Sequence, residues 1–258
     1  MRVLRGEDPA ALARSLGVPP AMLARWKNQV LNRAARTGET TAQSSPDAAT
    51  ATNTRSLVLQ AAVREFGERG FAGARIDAIA AQAGVNKTAL YYHFGNKDDL
   101  FAAALEFGYE QFGLLRDAGP VASADPVADL RAWVGALFDK VVTARLHANL
   151  IADENRYGGR HLSPALRRRV RGMIAPVAEQ LAAIVARGQA AGVMRPDIDV
   201  PRTYLALISL SMFHLTNTTT LSVTVGLDLA QPAEIERWRA QVITFVEAAL
   251  ARPSSPPR

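Results

Sequence analysis

Apolar positions recur along most of the chain at intervals of three and four residues. Leu57, Val58, Ala61, Ala62 and Phe66 form one such series behind Asn53 and Thr54, which can cap a helix start, and Gly70 lies just past its end. Ile76, Ile79, Ala80 and Ala83 mark a short second helix that stops at Gly84, with Val85 turned inward. Asn86 can cap a third helix over Lys87 to Phe94, which ends at Gly95, and Asn96 a fourth, with Asp98 and Asp99 near its positive end.

Further along, the same spacing predicts helices over 97–116, 126–144, 146–156, 163–191, 201–223 and 232–251, broken by Gly119-Pro120, Gly158-Gly159, Gly192, Pro196 and Gly226. Alternating strand-like runs are absent apart from an ambiguous LSVTV at Leu221 to Val225, so the fold class is all-α. Thr37 to Asn53 is rich in Thr, Ser and Ala and reads as a flexible linker. The expected organisation is an N-terminal piece over 1–36, a linker over 37–53, a compact helical block over 54–100, a helical bundle over 101–252 and a tail over 253–258.

Composition narrows the chemistry. The chain has 258 residues, 48% of them hydrophobic and 21% charged, in the range of a soluble globular protein. It has no cysteine, which removes disulfides, thiolate metal sites and a cysteine nucleophile together. The longest apolar run, Leu205 to Leu215, contains Ser209, Ser211 and His214 and is too short to span a bilayer, so no membrane association is expected. The N-terminal decapeptide lacks the apolar stretch of a secretion signal, and a cytoplasmic setting fits. The net charge of +6 is modest for this length, so a nucleic-acid reading has to rest on where the charges sit.

Two short helices joined by an AxxAGV turn form a helix-turn-helix, whose second helix lays side chains into the DNA major groove. In that helix Leu90 and Phe94 go to the core. Thr88 and Ala89 are small enough to approach base edges, and Lys87, Tyr91, Tyr92, His93 and Lys97 suit phosphates. Thr54, Arg55 and Arg75 complete the expected DNA-facing set. The run IDAIAAQAGVNKTALYYHFGNKDDLFAAAL resembles the DNA-binding signature of TetR-type transcriptional regulators, matched at Ala83-Gly84-Val85, Leu90, Tyr91, His93, Phe94, Lys97 and Leu100. One departure is Arg75, where that family often has a Thr or Ser capping the second helix. This leaves either a weaker cap or an arginine that reaches a phosphate.

The segment EDPAALARSLGVPPAMLARWKNQVL repeats the plan, with a turn at Leu16-Gly17-Val18 and an apolar face of Met22, Leu23, Trp26 and Val30. It resembles the helix-turn-helix at the start of insertion-sequence transposases, and Arg25, Lys27 and Arg33 are its candidate phosphate contacts.

In TetR-like proteins the later helices bind a small ligand and the last two dimerise, so the resemblance implies a homodimer. The stretch RGQAAGVMRPDIDVPRTYLALISLSMFHLTNTTTLSVTVGLDL is similar to the C-terminal region of the RutR-like branch. Pocket candidates are residues on otherwise apolar helices that supply hydrogen bonds or lining: Trp133, His147, Glu154, Asn155, Tyr157, Met173, Tyr204, Phe213, His214 and Asn217. No dependable metal-ligand spacing, cofactor motif or catalytic motif occurs, so neither a metal, a cofactor nor catalysis is expected. The cluster Arg167, Arg168, Arg169 and Arg171 reads as a solvated helix face. The expected function is a homodimeric repressor released from a palindromic operator on double-stranded DNA by a small-molecule effector. The alternative is a constitutive DNA-binding protein with two helix-turn-helix units and no effector.

Overall fold

The computed structural model describes residues 46–113 and 123–252. Arg25, Lys27 and Arg33, with the N-terminal helix-turn-helix expected around them, lie outside the described residues, as does the tail over 253–258. The described chain forms α1 (Pro46–Gly73), α2 (Ile76–Ala83), α3 (Lys87–Phe94), α4 (Lys97–Gly113), α5 (Pro126–Thr143), α6 (Arg145–Arg156), α7 (Pro164–Ala190), α8 (Val200–Thr216), α9 (Thr218–Val225) and α10 (Pro232–Leu250). Among the described residues the only extended pairing is an isolated bridge between Met194 and Ala251. No helix among them is long and apolar enough to cross a membrane.

Two boundaries differ from expectation. Helix α1 begins at Pro46, inside the stretch expected to be linker. A lack of large apolar residues does not disfavour helix where alanine, the strongest helix former, is frequent and a proline stands at the first position. The single helix expected over 201–223 is divided at Asn217, whose φ of −122° leaves the helical region, and LSVTV falls in the second piece. The cause is local: the Asn217 amide donates to the Phe213 carbonyl at 2.9 Å, and the Thr216 and Thr218 hydroxyls also bond back to main-chain carbonyls.

The described helices fall into two compact units. One holds α1 to α4, α6 and α7 as far as Ile174. Its core is built from Val58, Ala62 and Phe66 of α1, Ile79 of α2, Leu90 of α3, Phe101 and Leu105 of α4, and Leu150 of α6. This differs from the expected boundary after residue 100, because α4 and α6 both pack on α1. The α1–α6 crossing is close: a Cβ on Gly67 would stand 2.7 Å from the Leu146 carbonyl oxygen. Across it the Asn149 amide donates to the Gly67 carbonyl at 2.9 Å, and the Phe71 N–H donates to Asp153 Oδ2 at 2.6 Å.

The second unit comprises α5, the remainder of α7, and α8 to α10. Trp133, Leu137, Phe138 and Val141 of α5 are buried, as are Leu181 of α7, Leu207 of α8 and Val242 of α10. Polar ties hold its helices in register. The Arg239 guanidinium meets the Asp139 carboxylate at 2.7 Å, and Trp133 Nε1 donates to Gln180 Oε1 at 3.3 Å. Burial pushes the Asp129 carboxyl up, but hydrogen bonds from the Ser123 N–H and then from Arg187 outweigh it and hold the pKa below its usual value.

Candidate nucleic-acid interface

The helix-turn-helix is fixed at each end by a cap that the sequence supplies. Gly84 adopts φ 68°, a left-handed conformation that costs glycine little, and its N–H closes the end of α2 onto the Ala80 and Ala81 carbonyls. Asn86 Oδ1 accepts the Ala89 N–H at 2.7 Å to start α3, and the Gly95 N–H donates to the Tyr91 carbonyl at 2.8 Å to end it. Leu90 and Phe94 are buried, which turns the rest of α3 outward. Lys87, Thr88, Tyr91, Tyr92 and His93 are exposed and Ala89 is half-buried. Tyr92 is 86% exposed and meets the His93 ring edge-on at 5.4 Å.

The flanking cations are held differently from one another. Lys87 pairs across the turn with Asp77 at 3.1 Å, both groups being half or more exposed. The Arg55 guanidinium lies 5.1 Å from the Phe94 ring, which places it beside the end of α3, while Thr54 is half-buried. Lys97 is largely engaged inside the fold: its ammonium donates to the Ala74 carbonyl at 2.7 Å and lies 5.0 Å from the Phe71 ring.

Arg75 stands at the start of α2 without a capping side chain of its own. The buried Glu65 carboxylate substitutes, accepting the Arg75 N–H at 3.1 Å and pairing with Arg69 at 3.3 Å. Sequence reasoning missed Glu65. The available signal was a lone acid beside Phe66 on the apolar face of α1.

The ten expected ligand-lining residues are divided between the two units. Trp133, Tyr204, Phe213, His214 and Asn217 belong to one, and His147, Glu154, Asn155, Tyr157 and Met173 to the other. Phe213 and Asn155 are exposed, and the Glu154 carboxylate is spent on His161, whose backbone N–H it accepts at 2.7 Å and whose Nδ1 it meets at 2.5 Å. Tyr157 packs on Phe71 at 5.6 Å, His147 lies beside Phe107 at 6.2 Å, and Met173 is half-buried.

In the other unit, His214 is buried between Phe138, stacked at 5.5 Å, and Trp238, tilted at 6.1 Å. The buried Ser211 hydroxyl has no hydrogen-bond partner, whereas His214 interacts with the Ser211 main chain and the neighbouring Ser209 and Thr218 hydroxyls bond back along the helix. Burial drives the His214 pKa down to about 4, so its imidazole is neutral at physiological pH. Burial likewise raises the Tyr204 hydroxyl. A recess of about 330 Å³ lies elsewhere in this unit, lined by Val127, Leu130, Met194 and Leu250 and by none of the expected residues.

Among the described residues no group of three His, Asp or Glu side chains is arranged to hold a metal. The α7 arginines are surface groups: Arg167 donates to the Leu162 carbonyl at 2.7 Å, Arg169 pairs with Glu106, and Arg168 and Arg171 are exposed.

Similarity to known proteins agrees with this geometry. The model for bacterial regulatory proteins of the tetR family matches residues 58–104, and that for the tetracyclin repressor-like C-terminal domain matches 126–246. The transcriptional repressor NicS of Pseudomonas putida is 33% identical over 196 residues, spanning 76% of this chain and 90% of that protein. The repressor SCO4008 of Streptomyces coelicolor is 41% identical over 86 residues, covering 33% of this chain and 41% of its own. Among solved structures, the transcriptional regulator SCO4942 from Streptomyces coelicolor aligns with a TM-score of 0.56 at 28% identity, over 78% of this chain and 99% of that one. PfmR from Thermus thermophilus shares the fold, with a TM-score of 0.59 at 23% identity over 77% of this chain and 98% of its own. With a capped helix-turn-helix and a second helical unit both matched, this chain belongs to the TetR family of helix-turn-helix transcriptional regulators.

Proposed function

We propose that the chain acts in the cytoplasm as a homodimeric repressor that a small-molecule effector releases from a palindromic operator. The observation that carries the reading is α3 itself. A short helix anchored by two buried residues leaves Lys87, Thr88, Tyr91, Tyr92 and His93 exposed around its remaining faces. Thr88 and Ala89 suit base edges there, and Lys87, Tyr91, Tyr92 and His93 suit phosphates, with Arg55 and Arg75 at its flanks.

Dimerisation is supported by three large apolar side chains on α8 and α10, Leu205, Phe213 and Phe245, exposed by 64%, 58% and 61%. Such surface is costly to leave in water, and a two-fold axis through it would pair two α3 helices for the half-sites of a palindrome. Effector binding is supported by the buried Ser211 hydroxyl, which lies beside His214, has no partner and gains from a ligand that hydrogen-bonds to it. Release then follows if the effector prefers a conformation that DNA disfavours, and the antagonism is reciprocal. The repressor sign rests on the relatives named as repressors.

The test is selection of bound duplexes from a random-sequence pool, followed by anisotropy titration of the recovered site with wild type and the Tyr91→Ala, Lys87→Ala double variant. Recovery of a palindrome that the double variant binds at least about tenfold more weakly supports the reading. Equal affinity of the two proteins would remove α3 as the reading element.

A further inference from the structure

The turn between α6 and α7 carries a group of charges that DNA contact does not use. His161 is buried there, with its side chain 3% exposed. Its Nδ1 meets Glu154 Oε2 of α6 at 2.5 Å, and its Nε2 lies 3.2 Å from Asp98 Oδ1 in the first turn of α4. The same Nε2 is 3.2 Å from Arg160 Nε, and Arg160 Nη2 reaches Asp98 Oδ1 at 3.3 Å. The Arg160 guanidinium also covers the rings of Phe71 and Tyr157, each at 4.9 Å. The Phe71 N–H is held by the Asp153 carboxylate, and its ring is faced by Lys97. One histidine thus touches the structure that precedes α2 and the helix that follows α3.

We propose that His161 is a positioning residue for DNA binding: it clamps the α6–α7 turn to the first turn of α4, and its protonation state selects between two partner sets. The proposal rests on the DNA-binding reading above. With both ring nitrogens protonated, Nδ1–H donates to Glu154 and Nε2–H donates to Asp98, which closes the clamp. When the Nε2 proton leaves to solvent, that nitrogen can only accept, and Arg160 Nε–H is the donor within reach. Asp98 then keeps Arg160 alone. The charged and titratable groups that bear on the ring are Glu154, Asp153 and Arg156 from α6, Asp98 from α4, and Arg160 and Tyr157 from the turn. Tyr109 of α4 senses the Glu154 charge, which, after burial, helps to raise its hydroxyl pKa.

An open clamp lets the two helix ends that flank the helix-turn-helix move independently. The DNA-competent arrangement is then a smaller fraction of the ensemble, and apparent affinity falls by that fraction. Removing the acid at position 98 should by simple charge repulsion tighten DNA binding, whereas loss of the clamp weakens it. The two effects have opposite signs.

The experiment measures affinity for the selected duplex at a series of pH values from mildly acid to mildly alkaline, using wild type, Asp98→Asn, His161→Gln and Asp99→Asn. Asp99 is exposed in the same helical turn and is the charge control. The expected result is about a fivefold weakening for Asp98→Asn at the acid end, none for Asp99→Asn, and a wild-type decline with rising pH that flattens in both clamp variants. His93→Gln, on the DNA-facing surface, should retain that decline. Hydrogen exchange without DNA gives a second readout, with Asp98→Asn expected to raise exchange over 70–75 and 157–163. If Asp98→Asn and Asp99→Asn bind alike, or the pH profile is unchanged in Asp98→Asn, the clamp has no role in DNA binding. If wild type selects no duplex, the DNA-binding reading fails instead, and unaltered exchange in Asp98→Asn would separately overturn the clamp.

Discussion

Glu65 accepts the Arg75 N–H at 3.1 Å, so a carboxylate buried in α1 does the work of a capping residue for α2. The first turn of a helix leaves N–H groups without partners, and position 75 carries a side chain that cannot serve them. Glu65→Ala should therefore destabilise the fold by about 1–3 kcal/mol, the cost of a buried donor left unpaired. Arg75→Thr offers a hydroxyl to the N–H groups two and three residues on, donors that Glu65 does not serve, so its gain of about 1 kcal/mol should add to the Glu65→Ala loss and not remove its cause. Urea denaturation of the two single variants and the double variant measures both. A Glu65→Ala loss below about 0.5 kcal/mol would show that the Arg75 N–H does not depend on that carboxylate.

Lys87 and Lys97 should part company when each is replaced. Lys87 is a surface group whose pair with Asp77 is open to solvent, so Lys87→Ala should leave stability within about 0.5 kcal/mol of wild type. It should reduce the salt dependence of DNA binding by about one counterion. Lys97→Met removes the donor to the Ala74 carbonyl and should lower stability by about 1–2 kcal/mol. Salt titrations of DNA affinity alongside thermal melts separate the two.

His214 gives stability a slope in mild acid. Burial lowers its pKa from the ordinary value near 6.5 to about 4, so in that interval the unfolded chain binds a proton that the folded chain refuses. Its contribution is a loss of stability as pH falls from about 6.5 to about 4, levelling off below. His214→Phe keeps the aromatic contact with Phe138 and cannot take up the proton. The stability difference between variant and wild type should widen in the variant's favour across that interval, as read by chemical denaturation at several pH values. A constant difference would assign the acid sensitivity to other groups.

The exposed pair Phe213 and Phe245 should matter for assembly more than for folding. Phe213→Glu with Phe245→Glu is expected to shift sedimentation from dimer toward monomer while the helical circular dichroism signal is retained. Affinity for a palindromic duplex should fall with it, and affinity for a half-site should not. Retention of the dimer would move the interface away from α8 and α10.

These outcomes trace what the amino-acid pattern could and could not disclose. The helix-turn-helix was legible because its signals are local: Leu90 and Phe94 one turn apart, Gly84 in a left-handed turn, and Asn86 at a helix start all act within a few residues. Glu65 was not, because its partner lies ten residues away around a corner. The role of Glu154 was hidden for a related reason. A polar residue on an apolar helix looks the same in sequence whether a ligand or a distant side chain satisfies it, and Glu154 is satisfied by His161. The break at Asn217 is a third case, since the three-and-four spacing of apolar residues continues through it while threonine hydroxyls and the asparagine amide draw the backbone away.

The tight α1–α6 crossing bears on how such regulators can be recombined. With the Leu146 carbonyl 2.7 Å from where a Cβ at position 67 would stand, and Asn149 and Asp153 bonded to the backbone of Gly67 and Phe71, the DNA-reading helices and α6 interlock like a mortise and tenon cut from distant parts of the gene. A hybrid that carries residues 54–100 into another regulator's scaffold would inherit one half of that joint and meet a stranger's half. Grafts that bring 144–174 along with the reading head keep the joint whole, and the splice points for new sensors then lie within α7 and at the end of α5.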